Sequence, residues 1–266
     1  MYPVLFRWRA YSLYSYSVLI FLGIVLSVVY AHWRGRRAGY RDVLVLDAAL
    51  WALVGGLIAA RVTYVIPNWV DYGGRPIALL SFWGGGLVFQ GGLIGGALAL
   101  LLYALYAQLS FLSLVDLAAP AVSLAQGLWW AGALMHGANY GIIMRSRLSL
   151  WLPDLYGIYG PRFPTQLLAC LLGLLLFLIL HRLSEHDVPP GMSGAVYLLG
   201  NAVGHFLLEF TRADEAPYLG LLRVTQIAEL LEIAVACALL LYLYLRHRAR
   251  AHSPDTRETG PRSDVS

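Results

Sequence analysis

LVLDAALWALVGGLIAARVTYVI, residues 44–66, decides the fold of this chain. The run is long enough to cross a bilayer as a helix, because roughly 30 Å of hydrocarbon requires about 20 apolar residues. Comparable runs recur, and we predict seven spanning helices, near residues 12–32, 44–66, 86–109, 114–135, 164–183, 192–211 and 224–245. With 59% hydrophobic and 13% charged residues, the composition excludes an ordinary soluble domain. The sequence therefore predicts an all-α, polytopic membrane protein.

The arginines predict how the chain is oriented, because short cytoplasmic loops of membrane proteins are enriched in basic residues. Arginines follow the first and the seventh predicted helices: Arg34, Arg36, Arg37, Arg41, Arg246, Arg248 and Arg250. We therefore expect the N-terminus outside and the C-terminus in the cytoplasm. Residues 1–245 form the predicted seven-helix transmembrane domain. Residues 246–266, rich in charge, Pro, Ser and Thr, are the predicted disordered cytoplasmic tail.

The longest ordered connection, near residues 136–163, is then external. Its Trp151, Tyr156 and Tyr159 are typical of an interfacial aromatic belt, so the segment predicts a small cap on the outer surface. Further arginines lie on this disfavoured side, and binding of an anionic head group would explain them: Arg75, Arg145, Arg147, Arg162, Arg212 and Arg223. With a net charge of +4, the expected partner is an anionic lipid surface rather than nucleic acid.

The polar residues of the apolar segments fall at or near one side of the predicted membrane. They are Arg61, Gln90, His136, Asn139, Arg162, Gln166, His205, Glu209 and Arg212. Ionisable groups in spanning segments are costly and usually face the bundle interior or a wet cavity. This distribution predicts a single site at the outer membrane face.

Three of these residues share one face of the sixth predicted helix. His205, Glu209 and Arg212 stand at positions i, i+4 and i+7, which combine a base, an acid and a cation. A functional site is one interpretation. The alternative is a self-satisfied pair of His205 and Glu209, with Arg212 reaching the interface.

The stretch GGGLVFQGGLIGG, residues 84–96, contains seven glycines in thirteen positions. Such density permits close helix packing, or a kinked entry whose backbone faces a cavity. Gln90 favours the cavity, because its amide needs a partner other than lipid. Arg61 either reaches the head groups or turns inward to an anion. Metal-ligand spacings such as HExxH and paired CxxC do not occur, so we predict no metal and no cofactor.

Five motifs carry a resemblance to a known family. They are LWALVGGLIAARVTYVI, FWGGGLVFQGGLIGG, VDLAAPAVSLAQG, PRFPTQLL and GHFLLEFTRADE. In order and spacing along residues 5–245, the chain resembles a divergent member of the bacterial phosphatidylglycerol:prolipoprotein diacylglyceryl transferase family. The resemblance implies that a lipobox cysteine thiol of a prolipoprotein signal peptide attacks the glyceryl carbon of phosphatidylglycerol, at the outer face of the bacterial plasma membrane.

The resemblance also implies roles for the site residues. His205, Glu209 and Gln90 take the catalytic positions. The expected phospholipid contacts are Arg61, Arg212, His136, Asn139, Arg162 and Gln166. Phosphatidylglycerol supplies an anion for the arginines, and a base is needed because the thiolate is the nucleophile.

Several family positions are substituted in this chain. Gln90 and Phe163 stand where the family carries histidines, Trp130 and His205 where it carries arginines, Ala133 and His136 where it carries asparagines, and Ala138 where it carries a glutamate. Two hypotheses follow. The favoured one is a transferase in which His205 or His136 acts as base or contacts phosphate. The alternative is a catalytically degenerate relative that binds an anionic lipid or apolar peptide without turnover.

Overall fold

Seven long helices form the body of the protein in the computed structural model, which describes residues 4–8, 11–72 and 86–251. They are α1 (Ser15–Arg37), α2 (Asp42–Val65), α4 (Phe89–Tyr106), α5 (Phe111–His136), α6 (Thr165–Leu183), α7 (Met192–Glu209) and α8 (Val224–Ala251), and one short turn, α3 (Trp69–Tyr72), follows α2. The prediction of an all-α, polytopic membrane protein is confirmed.

Six of the seven long helices in the described ranges are long and apolar enough to cross a membrane. The helix outside this group is α7, which carries Asn201, His205 and Glu209 along one face. Its low hydropathy reflects these polar side chains, and α7 packs against α5, α6 and α8 with Asn201 and Glu209 buried.

Successive helices run in opposite directions, because short connections join α1 to α2, α4 to α5, and α6 to α7. These connections lie at one face of the bundle. The opposite face, which we call the cap face, carries three antiparallel hairpins within the described residues. They are β1 (Val4–Trp8) with β2 (Tyr11–Tyr14), β3 (Leu150–Pro153) with β4 (Tyr159–Arg162), and β5 (Tyr218–Leu219) with β6 (Leu222–Arg223). All nine polar residues of the predicted site lie in or next to helix ends at the cap face.

Small residues hold α2 close to α4. Gly55 and Gly56 on α2 face Gly92, Gly95 and Gly96 on α4, and Gly91 faces Ala59 and Thr63. A Cβ atom at Gly95 would meet the Ala59 side chain and lie 2.7 Å from the Gly55 carbonyl oxygen. The part of the glycine-rich stretch that lies within α4 therefore serves close helix packing. Gly84 and Gly85 lie outside the described residues.

The centre of the bundle is α5, which contacts α1, α4, α6 and α7. Two buried hydroxyls connect it to its neighbours. Ser27 Oγ donates to the Ala121 carbonyl oxygen at 2.6 Å, and Ser123 Oγ donates to the Gly173 carbonyl oxygen at 2.8 Å. At the opposite face, α8 continues to Ala251, and the remainder of the predicted tail lies outside the described residues.

Replacing Gly95 with alanine is expected to destabilise the protein by about 1–3 kcal/mol, because the new methyl group has no space against backbone atoms of α2. The matched control is Gly92→Ala on the same helix, where the added Cβ would lie 3.5 Å from its nearest neighbours, an ordinary contact. Thermal unfolding in detergent measures both. Equal melting temperatures for the two variants would contradict the packing account.

Candidate functional site

Backbone hydrogen bonds draw three segments together at the cap face. The segment 140–144, which follows α5, pairs with residues 211–213 beyond α7 and with residues 161–163 before α6. Ile142 N donates to the Thr211 carbonyl oxygen, and Phe163 N donates to the Ile142 carbonyl oxygen, both at 2.9 Å. The ends of α5, α6 and α7 are thereby fixed relative to one another.

Arg212 lies at the centre of the charges gathered there. Its Nη1 donates to Glu209 Oε2 at 2.7 Å, its Nε donates to Asp214 Oδ1 at 2.9 Å, and its Nη2 donates to Asn139 Oδ1 at 2.9 Å. Burial lowers the pKa of Arg212, but the carboxylates of Asp214 and Glu209 outweigh that effect and hold the pKa above its usual value. The guanidinium is therefore permanently charged. Glu209 and Arg212 come together as predicted, but not through helical spacing: α7 ends at Glu209, and Arg212 lies beyond it, bridged to Gly141.

A second arginine joins this group. Arg223, buried at the end of β6, lies 3.4 Å from both Glu209 Oε1 and Asp214 Oδ1, and its Nη2 donates to the Arg212 and Asp214 carbonyl oxygens. Thr225 Oγ1 donates to Glu209 Oε1 at 2.7 Å. We call Arg212, Arg223, Glu209 and Asp214 the arginine–carboxylate cluster. It contains two positive and two negative side chains.

The sequence interpretation missed Arg223, Asp214 and Thr225 as members of the site. The available signal was local: charged residues flank the end of α7 and the start of α8, which a short connection must bring together. Arg223 was recognised only as one of the external arginines.

Arg162 and Gln166 are buried in the wall of the cap. Arg162 pairs with Asp154 at 2.9 Å, both side chains being nearly inaccessible, and its guanidinium lies 4.7 Å from the centre of the Tyr140 ring. Gln166 Nε2 donates to the Ala138 carbonyl oxygen at 3.0 Å. Both residues hold the segment that presents Asn139, whose φ of 53° is unusual for a side-chain-bearing residue. Their geometry indicates support of the cap.

His205 accepts a hydrogen bond inside the bundle. The Tyr197 hydroxyl donates to Gln126 Oε1, and Gln126 Nε2 lies 3.1 Å from His205 Nε2. The side-chain amide nitrogen of Gln126 can only donate, so Nε2 of His205 accepts and its Nδ1 carries the proton. The ring is half-buried and stacks on Trp130, with 5.3 Å between ring centres. The neutral His205 ring therefore accepts at Nε2 and can donate a hydrogen bond from Nδ1.

His136 is accessible by contrast. It ends α5 at the cap face, is exposed, and stacks on Tyr16 with 5.5 Å between ring centres. The Tyr16 hydroxyl accepts from Trp129 Nε1 at 2.9 Å, and Trp129 packs edge-on against Trp130. A row of aromatic rings thus connects the two histidines.

Arg61 lies near the end of α2, and Gln90 lies in the first turn of α4. Arg61 is 6% exposed, its Nη1 donates to the Gly86 carbonyl oxygen at 3.1 Å, and its guanidinium lies 5.2 Å from the Tyr72 ring centre. Gln90 is half-buried in the first turn of α4, and its side chain forms no hydrogen bond with the residues that the structure describes. Val88, the residue that precedes this helix, does not cap it with its side chain. The first-turn amide groups of α4 have no acceptor within the helix and are suited to bind an anion.

The comparisons with known proteins agree over nearly the whole chain. The model of the family described as prolipoprotein diacylglyceryl transferase matches residues 3–242. The chain belongs to this family. The phosphatidylglycerol–prolipoprotein diacylglyceryl transferase of Limosilactobacillus reuteri (strain DSM 20016) is 30% identical over 257 residues, which are 92% of each chain. That of Staphylococcus xylosus is 30% identical over 268 residues, 98% of this chain and 95% of the relative.

Buried polar side chains also lie between α7 and α8. Asn201, Gln226 and Glu229 are each at most 4% exposed. Asn201 Oδ1, Gln226 Nε2 and Glu229 Oε2 have no hydrogen-bond partner among the described residues. Within the same ranges no group of three or more His, Cys, Asp or Glu side chains has a geometry for a metal ion.

Replacing Asp154 with alanine is expected to lower the free energy of unfolding by about 3–5 kcal/mol, because Arg162 would remain buried without a counter-ion. The Asp154 carboxylate also accepts from the Tyr156 and Ile158 amides. Chemical denaturation in detergent measures the change. Asp187→Ala, an exposed aspartate in the loop before α7, is the control and should change stability by less than about 0.5 kcal/mol. A similar small effect at Asp154 would refute the structural role of the pair.

Proposed function

We propose that the protein transfers a diacylglyceryl group from phosphatidylglycerol to the lipobox cysteine thiol of a prolipoprotein, at the outer face of the bacterial plasma membrane. Family membership supports the reaction class. The observation that carries the proposal is the collection of buried arginines and amides, with Glu209 and two less buried histidines, at one face of an otherwise apolar bundle. In the proposed orientation the cap face and the N-terminus are outside, and the arginine-rich connection between α1 and α2 is cytoplasmic.

The phosphate of the donor lipid binds between α2 and α4 in this proposal. Arg61 supplies a positive charge, the first turn of α4 supplies amide groups, and Gln90 supplies a side-chain amide. Glycine at position 86 leaves room for the Arg61 guanidinium, since a Cβ at this position would lie 2.8 Å from Arg61 Nη1. In such a low-dielectric site, these donors stabilise the charge that develops on the leaving phosphate.

The arginine–carboxylate cluster positions the other phosphate contacts. Glu209 holds Arg212 from one side and Asp214 holds it from the other, so that Asn139 and Arg212 face the same part of the cap. Arg162 and Gln166 support this wall. His205 donates through Nδ1 to a phosphate oxygen, a contact that the neutral ring can make without an additional buried charge.

The acceptor thiol transfers its proton to His136. The accessible imidazole suits this role better than His205, whose Nε2 lone pair is occupied by Gln126. The sulfur then forms a bond to the glyceryl carbon. The carbon–oxygen bond to phosphate breaks, its electron pair remains on the phosphate oxygen, and glycerol 1-phosphate leaves. His136 returns the proton to the outer solvent.

Reconstitution with phosphatidylglycerol and a cysteine-bearing lipobox peptide tests the proposed function. Mass spectrometry should detect a diacylglyceryl adduct on the thiol. Glu209→Gln should lower the initial rate about 10²-fold or more, because the cluster loses the charge that holds Arg212 and Arg223. The matched control is Glu229→Gln, another buried glutamate, whose carboxylate forms no ion pair within the described chain.

Absence of an adduct from folded protein that retains phosphatidylglycerol would favour the degenerate relative that binds lipid without turnover. An adduct formed equally well by Glu209→Gln would contradict the proposed role of the cluster.

His136→Gln is expected to reduce the rate at neutral pH by about 10²–10⁴-fold, the usual effect of losing a general base. The rate of this variant should rise with pH more steeply than that of the parent, because a free cysteine thiol ionises near pH 8.5 without help. His186→Gln, exposed at the opposite face, is the control. A parallel pH profile for His136→Gln and the parent would exclude His136 as the base.

A further inference from the structure

The cap hairpin and the segment before it expose an unusual number of large apolar side chains. Ile143, Leu148, Trp151, Tyr156 and Ile158 are each 63–74% exposed. Large exposed apolar side chains gathered in one segment are typical of an interaction surface. Because these residues follow directly on helix ends at the cap face, the membrane interface is the surface within their reach.

A shallow depression of about 490 Å³ lies in the same segment, lined by Arg145, Ser146, Arg147, Ser149 and Pro161. A tight turn shapes it: Ser149 Oγ donates to the Ser146 carbonyl oxygen at 2.7 Å, and Leu148 N donates to Ser146 Oγ. The turn presents two like charges two residues apart. We call this surface the arginine depression.

The two arginines differ from those of the site described above. Arg162 and Arg223 are buried, Arg212 is largely buried, and all three are paired with carboxylates. Arg145 and Arg147 are exposed, and neither forms an ion pair with any residue in the described ranges. Two uncompensated positive charges beside an apolar rim complement an anion that carries an apolar tail.

We propose that the arginine depression binds the head group of an anionic phospholipid of the outer leaflet, as a second lipid site separate from the transfer site. The phosphodiester lies against Arg145 and Arg147, the head-group hydroxyls lie near Ser146 and Ser149, and the acyl chains pass beside Leu148 and Trp151. Binding there holds the cap on the membrane and raises the local concentration of phosphatidylglycerol next to the site. The proposal rests on the outward orientation given under the proposed function, but not on transfer activity.

Selective quenching of Trp151 tests this second site. The full-length protein is reconstituted in phosphatidylcholine vesicles that contain a small fraction of either brominated phosphatidylglycerol or brominated phosphatidylcholine. Trp151→Phe, measured in parallel, isolates the contribution of Trp151. The account predicts that brominated phosphatidylglycerol quenches Trp151 at a much lower mole fraction, since each arginine near a membrane surface favours an anionic lipid about fivefold.

Arg145→Gln and Arg147→Gln should each reduce this preference about fivefold, while Trp151 remains quenched by both lipids. Arg34→Gln and Arg36→Gln, at the opposite face, are the controls and should leave the preference unchanged. Equal quenching by both lipids in the parent would show that the segment contacts lipid without preference for an anionic head group, and would overturn the proposal. Absence of quenching would show that the segment does not contact lipid and would also overturn it. Neither readout requires adduct formation, so a failure here is distinguishable from a failure of the transferase proposal.

Discussion

The balanced pairing of buried charges in the arginine–carboxylate cluster is the interaction on which the architecture of the site depends. An isolated charge in a low-dielectric interior is costly, and Arg212 and Arg223 are retained because Glu209 and Asp214 neutralise them in place. The same contacts join the end of α7 to the start of α8, and through Asn139 to the segment after α5. The contacts that neutralise the two arginines therefore also hold the segments of the cap together.

Helix positions were predictable because bilayer thickness dictates the length of an apolar run. The predicted helix near 164–183 and the observed Thr165–Leu183 nearly coincide. The proximity of Glu209 and Arg212 was also predicted, although its cause was not, because α7 ends at Glu209 and a β-bridge to Gly141 fixes the backbone of Arg212. Arg223 and Asp214 were not, because their contacts depend on how the connection between α7 and α8 folds back. The Tyr197–Gln126–His205 chain joins residues 71 and 79 positions apart, which no local pattern reveals.

Trp130 and His205 form a pair of stacked rings inside the bundle. In this chain the indole of Trp130 stacks on the imidazole of His205, and Gln126 fixes the tautomer of that ring. This pair is neutral and adds no charge to the bundle. The proposed chemistry accordingly depends on Arg61 and the start of α4 for charge, and on His136 for proton transfer.

The location of the donor phosphate tests the central claim most directly. A cryo-electron microscopy structure of the protein in nanodiscs containing phosphatidylglycerol would show it. The account predicts a phosphate within hydrogen-bond distance of Arg61 and the first-turn amides of α4 at the cap face. Phosphatidylglycerol found only on the opposite face, or a helix N-terminus closed by a protein side chain in its presence, would contradict the account.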